Sequence, residues 1–83
     1  MKVIINNLPP ETTKEMLLEE IQQRHIQIVG IELEDSGDPQ KITAIVSLDT
    51  GHAGATSLEK RVEGMFWHGR TLRAYALKEF DNK

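Results

Sequence analysis

A chain of 83 residues has room for one hydrophobic core and no second domain. Its 39% apolar and 28% charged residues are ordinary globular composition, and the complete absence of cysteine excludes disulfides and thiolate metal sites. A formal charge of −3 argues against a broad basic footprint for nucleic acid, and no apolar run nears the roughly 18 residues of a membrane span, so a single cytoplasmic domain with no membrane contact is expected.

Val3, Ile4, Ile5 and Leu8 form a short β-branched run closed by Pro9 and Pro10, which predicts a first strand over residues 2–8. Thr12 followed three residues later by Glu15 matches a capping box. Leu17, Leu18 and Ile21 then recur at helical spacing, so a helix is predicted over 13–24. Over 26–34, Ile28, Ile31 and Leu33 interleave with Glu32 and Glu34, a strand ended by the turn-rich residues 35–39. Over 41–48, Ile42, Ala44, Val46 and Leu48 alternate with Lys41, Thr43, Ile45 and Ser47, a third strand with one apolar face. Ala55, Leu58 and Val62 precede Gly64 at helical spacing, so a second helix starts near His52 and stops at a glycine C′ position, with a first turn weakened by Gly51 and Gly54. A last strand is predicted over 71–77, with Leu72, Ala74 and Ala76 on one side and Arg73, Tyr75 and Leu77 on the other. The order βαββαβ predicts an α+β, ferredoxin-like sandwich: a four-stranded antiparallel sheet packed on two helices. One domain is expected over residues 1–78, with 79–83 as a short tail.

Three stretches carry a resemblance to the RNA recognition motif family. Val3-Ile4-Ile5-Asn6-Asn7-Leu8 resembles the family's first-strand hexamer, with Ile4 where an aromatic stands. Lys41-Ile42-Thr43-Ala44-Ile45-Val46-Ser47-Leu48 aligns with the third-strand octamer through Lys41, Ala44 and Val46. From Gly64 through Gly69-Arg70 to Leu72, the chain reproduces the family's passage from second helix to last strand. The resemblance implies a sheet face that binds single-stranded RNA, or single-stranded DNA, at Ile4, Asn6, Lys41, Thr43, Ile45, Arg73 and Tyr75. The family stacks bases on aromatic rings at positions held here by Ile4, Thr43 and Ile45, and each such stack is worth about 1–3 kcal/mol. This chain is thus a divergent member of that pattern. Lys41, Arg73 and nearby Arg70 are left to hold phosphates, Asn6 to bond a base edge and Tyr75 to offer one stacking surface. Weak, salt-sensitive binding is expected, and Glu32 and Glu34 on the same face oppose it.

A protein-interaction module is the alternative, because Ile4 and Ile45 beside Tyr75 make an apolar patch and Phe66-Trp67 places two large aromatics in a turn. Family members that bind peptides use an Arg-x-Phe loop here with an acidic first helix. Met65 takes the arginine position, Trp67 the phenylalanine position, and Glu15, Glu19 and Glu20 lie on the first helix. No catalytic constellation is present. His25, His52 and His68 lack ligand spacing, so no metal or other cofactor is implied. Acylphosphatases share the topology, but their arginine-bearing phosphate loop is replaced by Asn7-Leu8-Pro9-Pro10.

Overall fold

The computed structural model describes residues 1–22 and 26–77. His25, the expected end of the first helix at Arg24 and the expected tail lie outside those residues. The elements run β1 (Lys2–Leu8), α1 (Lys14–Ile21), β2 (Ile28–Asp35), β3 (Ile42–Leu48), α2 (His52–Val62), β4 (Phe66–Trp67), β5 (Arg70–Thr71) and β6 (Arg73–Leu77). Four strands form one antiparallel sheet in the order β2-β3-β1-β6, and β4 and β5 form a separate two-stranded ribbon. This is the ferredoxin-like arrangement that the alternation patterns predict.

The apolar positions of each strand meet the helices on one side of the sheet. Val3, Ile5 and Leu8 of β1, Ala44 and Val46 of β3, and Leu72 beside β6 are buried with Leu17 and Ile21 of α1 and Ala55, Leu58 and Val62 of α2. Each fully buried aliphatic side chain contributes about 1.5–3 kcal/mol. Among the described residues no helix lies over the opposite side of the sheet, and that asymmetry creates the open face.

Two bulges reconcile the sequence spacing with strict side-chain alternation. In β1, Ile5 pairs with Ala44 and Leu8 with Ile42, so three steps along β1 oppose two along β3. Asn7, at φ 70°, adopts the left-handed conformation that asparagine tolerates better than branched residues do. The extra residue returns Leu8 to the core although it is an odd number of positions from Ile5. In β2, Ile28 pairs with Leu48 and Gly30 with Ser47, so Val29 is the extra residue and stands exposed while Ile28 and Ile31 both face inward.

The first helix starts one residue later than the capping-box pattern predicts. Thr13 is the N-cap, its hydroxyl accepting from the Met16 N–H at 3.1 Å, so Glu15 does not reciprocate a cap at Thr12. Thr12 instead closes a turn by donating its N–H to the Pro9 carbonyl, and its buried hydroxyl has no partner among the described residues. At the other helix the expected glycine stop holds: Gly64, at φ 81°, follows the C-cap Glu63 and donates its N–H to the Leu72 carbonyl.

Thr13→Ala is expected to lower stability by about 0.5–2 kcal/mol, the usual cost of a lost N-cap. Thr12→Val is expected to cost less, because it deletes a buried hydroxyl that has no partner. Urea unfolding of both variants checks this; the reverse ranking would place the cap at Thr12.

Candidate nucleic-acid interface

Strand register lines the open face with three rows of side chains. The first row, from β2 to β6, is Gly30, Ser47, Lys2 and Leu77; the second is Glu32, Ile45, Ile4 and Tyr75. In the third, Glu34 opposes Thr43, Asn6 opposes Arg73, and the Thr43 hydroxyl donates to Asn6 Oδ1 at 2.8 Å. All seven residues expected from the sequence to contact RNA therefore lie on this face or at its end, with Lys41 just before β3.

The middle row is an apolar strip. Ile4 and Ile45 are paired neighbours on the two central strands and half-buried, and Tyr75 beside Ile4 is 48% exposed. A base lying there would meet two aliphatic side chains and one ring. Glu32 terminates the strip at the β2 edge, where its carboxylate repels anions.

The third row opens into a polar cleft of about 390 Å³ lined by Asn6, Asn7, Ser36, Asp38, Lys41, Thr43 and Arg73. The bulge in β1 sets this up, since it places two consecutive asparagines at the cleft. Asn7 Nδ2 donates to the Thr71 carbonyl at 2.9 Å, tying the end of β1 to β5. Across the cleft, the loop between β2 and β3 holds its own shape: Ser36 Oγ donates to the Lys41 carbonyl at 2.8 Å, and Asp38 Oδ1 accepts from the Gln40 N–H at 2.9 Å. Lys41 Nζ stands 4.0 Å from Asp38 Oδ2, a loose pair on the surface that leaves the ammonium accessible.

Arg73 is held by a residue that the sequence reading missed. Glu63 accepts from Arg73 Nε at 2.8 Å through Oε2 and from the Ala74 N–H at 2.6 Å through Oε1. A carboxylate at the end of a helix opposes the helix dipole, but here it satisfies a backbone donor on the edge strand β6 and fixes a guanidinium by its Nε, leaving the terminal nitrogens for another partner. No spacing rule links a helix C-cap to a strand ten residues later, so only the packed α2–β6 contact reveals the pair. The Ala74 N–H holds the Glu63 carboxyl below its ordinary value of 4.5; partial desolvation opposes that, and the hydrogen bond and charge of Arg73 lower it further.

The aromatic turn divides into one surface residue and one core residue. His68 and Gly69, at φ 50° and 82°, form the two-residue turn joining β4 to β5, with Trp67 opposite Arg70 and Phe66 opposite Thr71. Phe66 is 72% exposed. Trp67 is only 8% exposed and belongs to the core cluster, with its ring edge-on to His68 at 4.3 Å. Of the two aromatics that the sequence places in this turn, alternation along the ribbon turns Trp67 inward, where burial of its large apolar ring stabilises the fold, and leaves Phe66 at the surface. Arg70 lies on this ribbon, outside the four-stranded sheet.

Among the described residues, no helix is long and apolar enough to cross a membrane. No group of three His, Cys, Asp or Glu gathers among them to hold a metal ion.

No family model and no curated protein matches the sequence. Solved structures share its fold. Pes4 RRM3 superposes with a TM-score of 0.76 at 20% identity, over 99% of this chain and 96% of that one. The N-terminal three RNA binding domains of the yeast splicing factor Prp24 match with a TM-score of 0.76 at 18% identity, over 94% of this chain and 33% of that longer one. The Rna15 RRM with bound RNA (GU) matches with a TM-score of 0.72 at 14% identity, over 96% of this chain and 85% of that one. The chain thus has an RNA-recognition-motif-like fold.

The stabilisation that Glu63 provides is expected to depend on pH. Its carboxyl is held below the unfolded value, so the contribution is present above about pH 4.5 and is lost as pH falls through the lowered folded value. Thermal unfolding of wild type and Glu63→Ala should therefore differ more near pH 7 than near about pH 2.5. An equal difference at both pH values would show that the carboxylate is not engaged.

Proposed function

We propose that this chain is a non-enzymatic module that binds single-stranded RNA weakly on the open face of its sheet. The observation that carries the reading is the register that puts Ile4, Ile45 and Tyr75 in one accessible row, with Asn6, Lys41 and Arg73 gathered at its end. A flat apolar strip beside two cations and a fixed amide suits an unpaired base and its phosphate, because apolar surface covers the base while cations hold the backbone. The fold supports the same reading: the Prp24 structure is of RNA binding domains and the Rna15 structure contains RNA. Single-stranded DNA offers the same bases and phosphates and is the related ligand to compare.

Low affinity follows from what the strip lacks. Ile4, Thr43 and Ile45 stand where rings would stack bases, each stack being worth about 1–3 kcal/mol. Two or three phosphate contacts on a single strand give a shallow salt slope of about −0.7 per contact. Glu32 and Glu34 flank the strip on β2 and reduce the attraction further.

A titration of isotope-labelled protein with a short RNA is expected to shift the amide signals of Asn6, Lys41, Thr43, Arg73 and Tyr75. The exposed Phe66 sustains the rival reading, a protein-binding surface on the β4–β5 ribbon or the aliphatic face. Shifts confined to the ribbon, or none at millimolar RNA, would remove the support for RNA binding.

Restoring one ring tests the energetic explanation. Ile45→Phe is expected to change stability by less than about 1 kcal/mol, since the side chain leaves the sheet on the side away from the core. It is also expected to tighten binding by up to about 1–3 kcal/mol. Thr43→Phe would additionally break the bond to Asn6 and so is the poorer probe. Calorimetric unfolding and an RNA titration of Ile45→Phe read both effects; a large stability loss would mean that Ile45 is a core residue.

A further inference from the structure

We infer that the polar cleft at the end of the sheet is a guanine-selecting base site, an inference that rests on the RNA reading and assigns that face its base preference. The cleft is lined by both hydrogen-bond donors and acceptors. Asn6 Oδ1 is occupied by the Thr43 hydroxyl at 2.8 Å, so the free side of the Asn6 amide is its N–H₂ group. Lys41 Nζ and the terminal nitrogens of Arg73, whose Nε is bound by Glu63, add further donors. On the acceptor side, Asp38 engages one oxygen with the Gln40 N–H at 2.9 Å. Its other oxygen lies 4.0 Å from Lys41 Nζ, too far for a hydrogen bond, and so remains free to accept.

With one lone pair of Oδ1 taken by the Gln40 N–H, Asp38 still has Oδ2 and the second lone pair of Oδ1, so its carboxylate can accept from two adjacent N–H groups that present a matching fork. Guanine is the one standard base with adjacent donors on its pairing edge, N1–H and N2–H₂, and it carries acceptors at O6 and N7 for the cationic and amide donors. Adenine and cytosine offer only an exocyclic amino group beside an acceptor, and uracil offers a single N–H between two carbonyl oxygens. None of the three satisfies the Asp38 carboxylate as a fork. Stacking is indifferent to base identity, whereas a site that relies on hydrogen bonds discriminates because a mismatched base leaves polar groups unpaired. Loss of the aromatic rings therefore transfers the recognition from stacking to the cleft.

The test measures binding of the full chain to uridine octamers carrying one central guanine, inosine or adenine. Inosine keeps N1–H and O6 and lacks only the N2 amino group. Guanine is expected to bind about tenfold more tightly than inosine or adenine. Asp38→Asn, which retains an oxygen for the Gln40 N–H and is checked for folding by circular dichroism, is expected to bring that ratio close to one. Measurable but equal affinities for guanine and inosine in the wild type would overturn the guanine assignment and leave the RNA reading standing. A guanine preference that persists in Asp38→Asn would also overturn it. Absence of binding to every octamer would overturn the RNA reading and the assignment together.

Discussion

The geometry of the open face depends on one extra residue in β1. Strict alternation would send Asn7 into the core with Val3 and Ile5 and leave Leu8 in solvent. The bulge instead lets Asn7 take a left-handed conformation, buries Leu8 and keeps both asparagines at the cleft. Burying a leucine is worth about 1.5–3 kcal/mol, more than the strain of an asparagine in that conformation, so core packing holds the bulge in place. The bulge in β2 obeys the same logic, with Val29 expelled so that Ile28 and Ile31 both pack inward. The candidate surface is in this sense a consequence of where the core demands its aliphatic side chains.

Charge on the face is organised by partners on neighbouring elements. Arg73 is oriented by Glu63 from the end of α2, and Lys41 stands loosely beside Asp38 on the loop before β3. Each cation thus has a carboxylate within reach, which lowers the local positive potential of a net acidic chain. On the proposed RNA reading, the same arrangement would favour discrimination over affinity, since directional hydrogen bonds penalise a wrong base more than diffuse charge does.

Much of this was legible in the sequence, because period-two and helical spacings are imposed directly by burial. The alternation in β3 identified Thr43 and Ile45 as outward residues, and the Ala55, Leu58 and Val62 spacing with Gly64 delimited α2. Three features were not legible, each because it depends on tertiary contact. The helix cap lies at Thr13, since chain entry from Pro9 rather than the Thr12–Glu15 pattern sets the first turn. The Glu63–Arg73 pair joins elements that only packing brings together. That one of the two turn aromatics packs inward follows from the cost of leaving both wet, but that it is Trp67 depends on the ribbon of residues 66–71, whose one local signal is the His68-Gly69 pair, a two-residue turn between short strands.

The most direct measurement of RNA binding on this face is intermolecular nuclear Overhauser contact between a short single-stranded RNA and the labelled protein. Base and sugar protons are expected to show contacts to the methyl groups of Ile4 and Ile45 and to the Tyr75 ring. Contacts to the Phe66 ring or the α1 surface with none to Ile4, Ile45 and Tyr75 would contradict it.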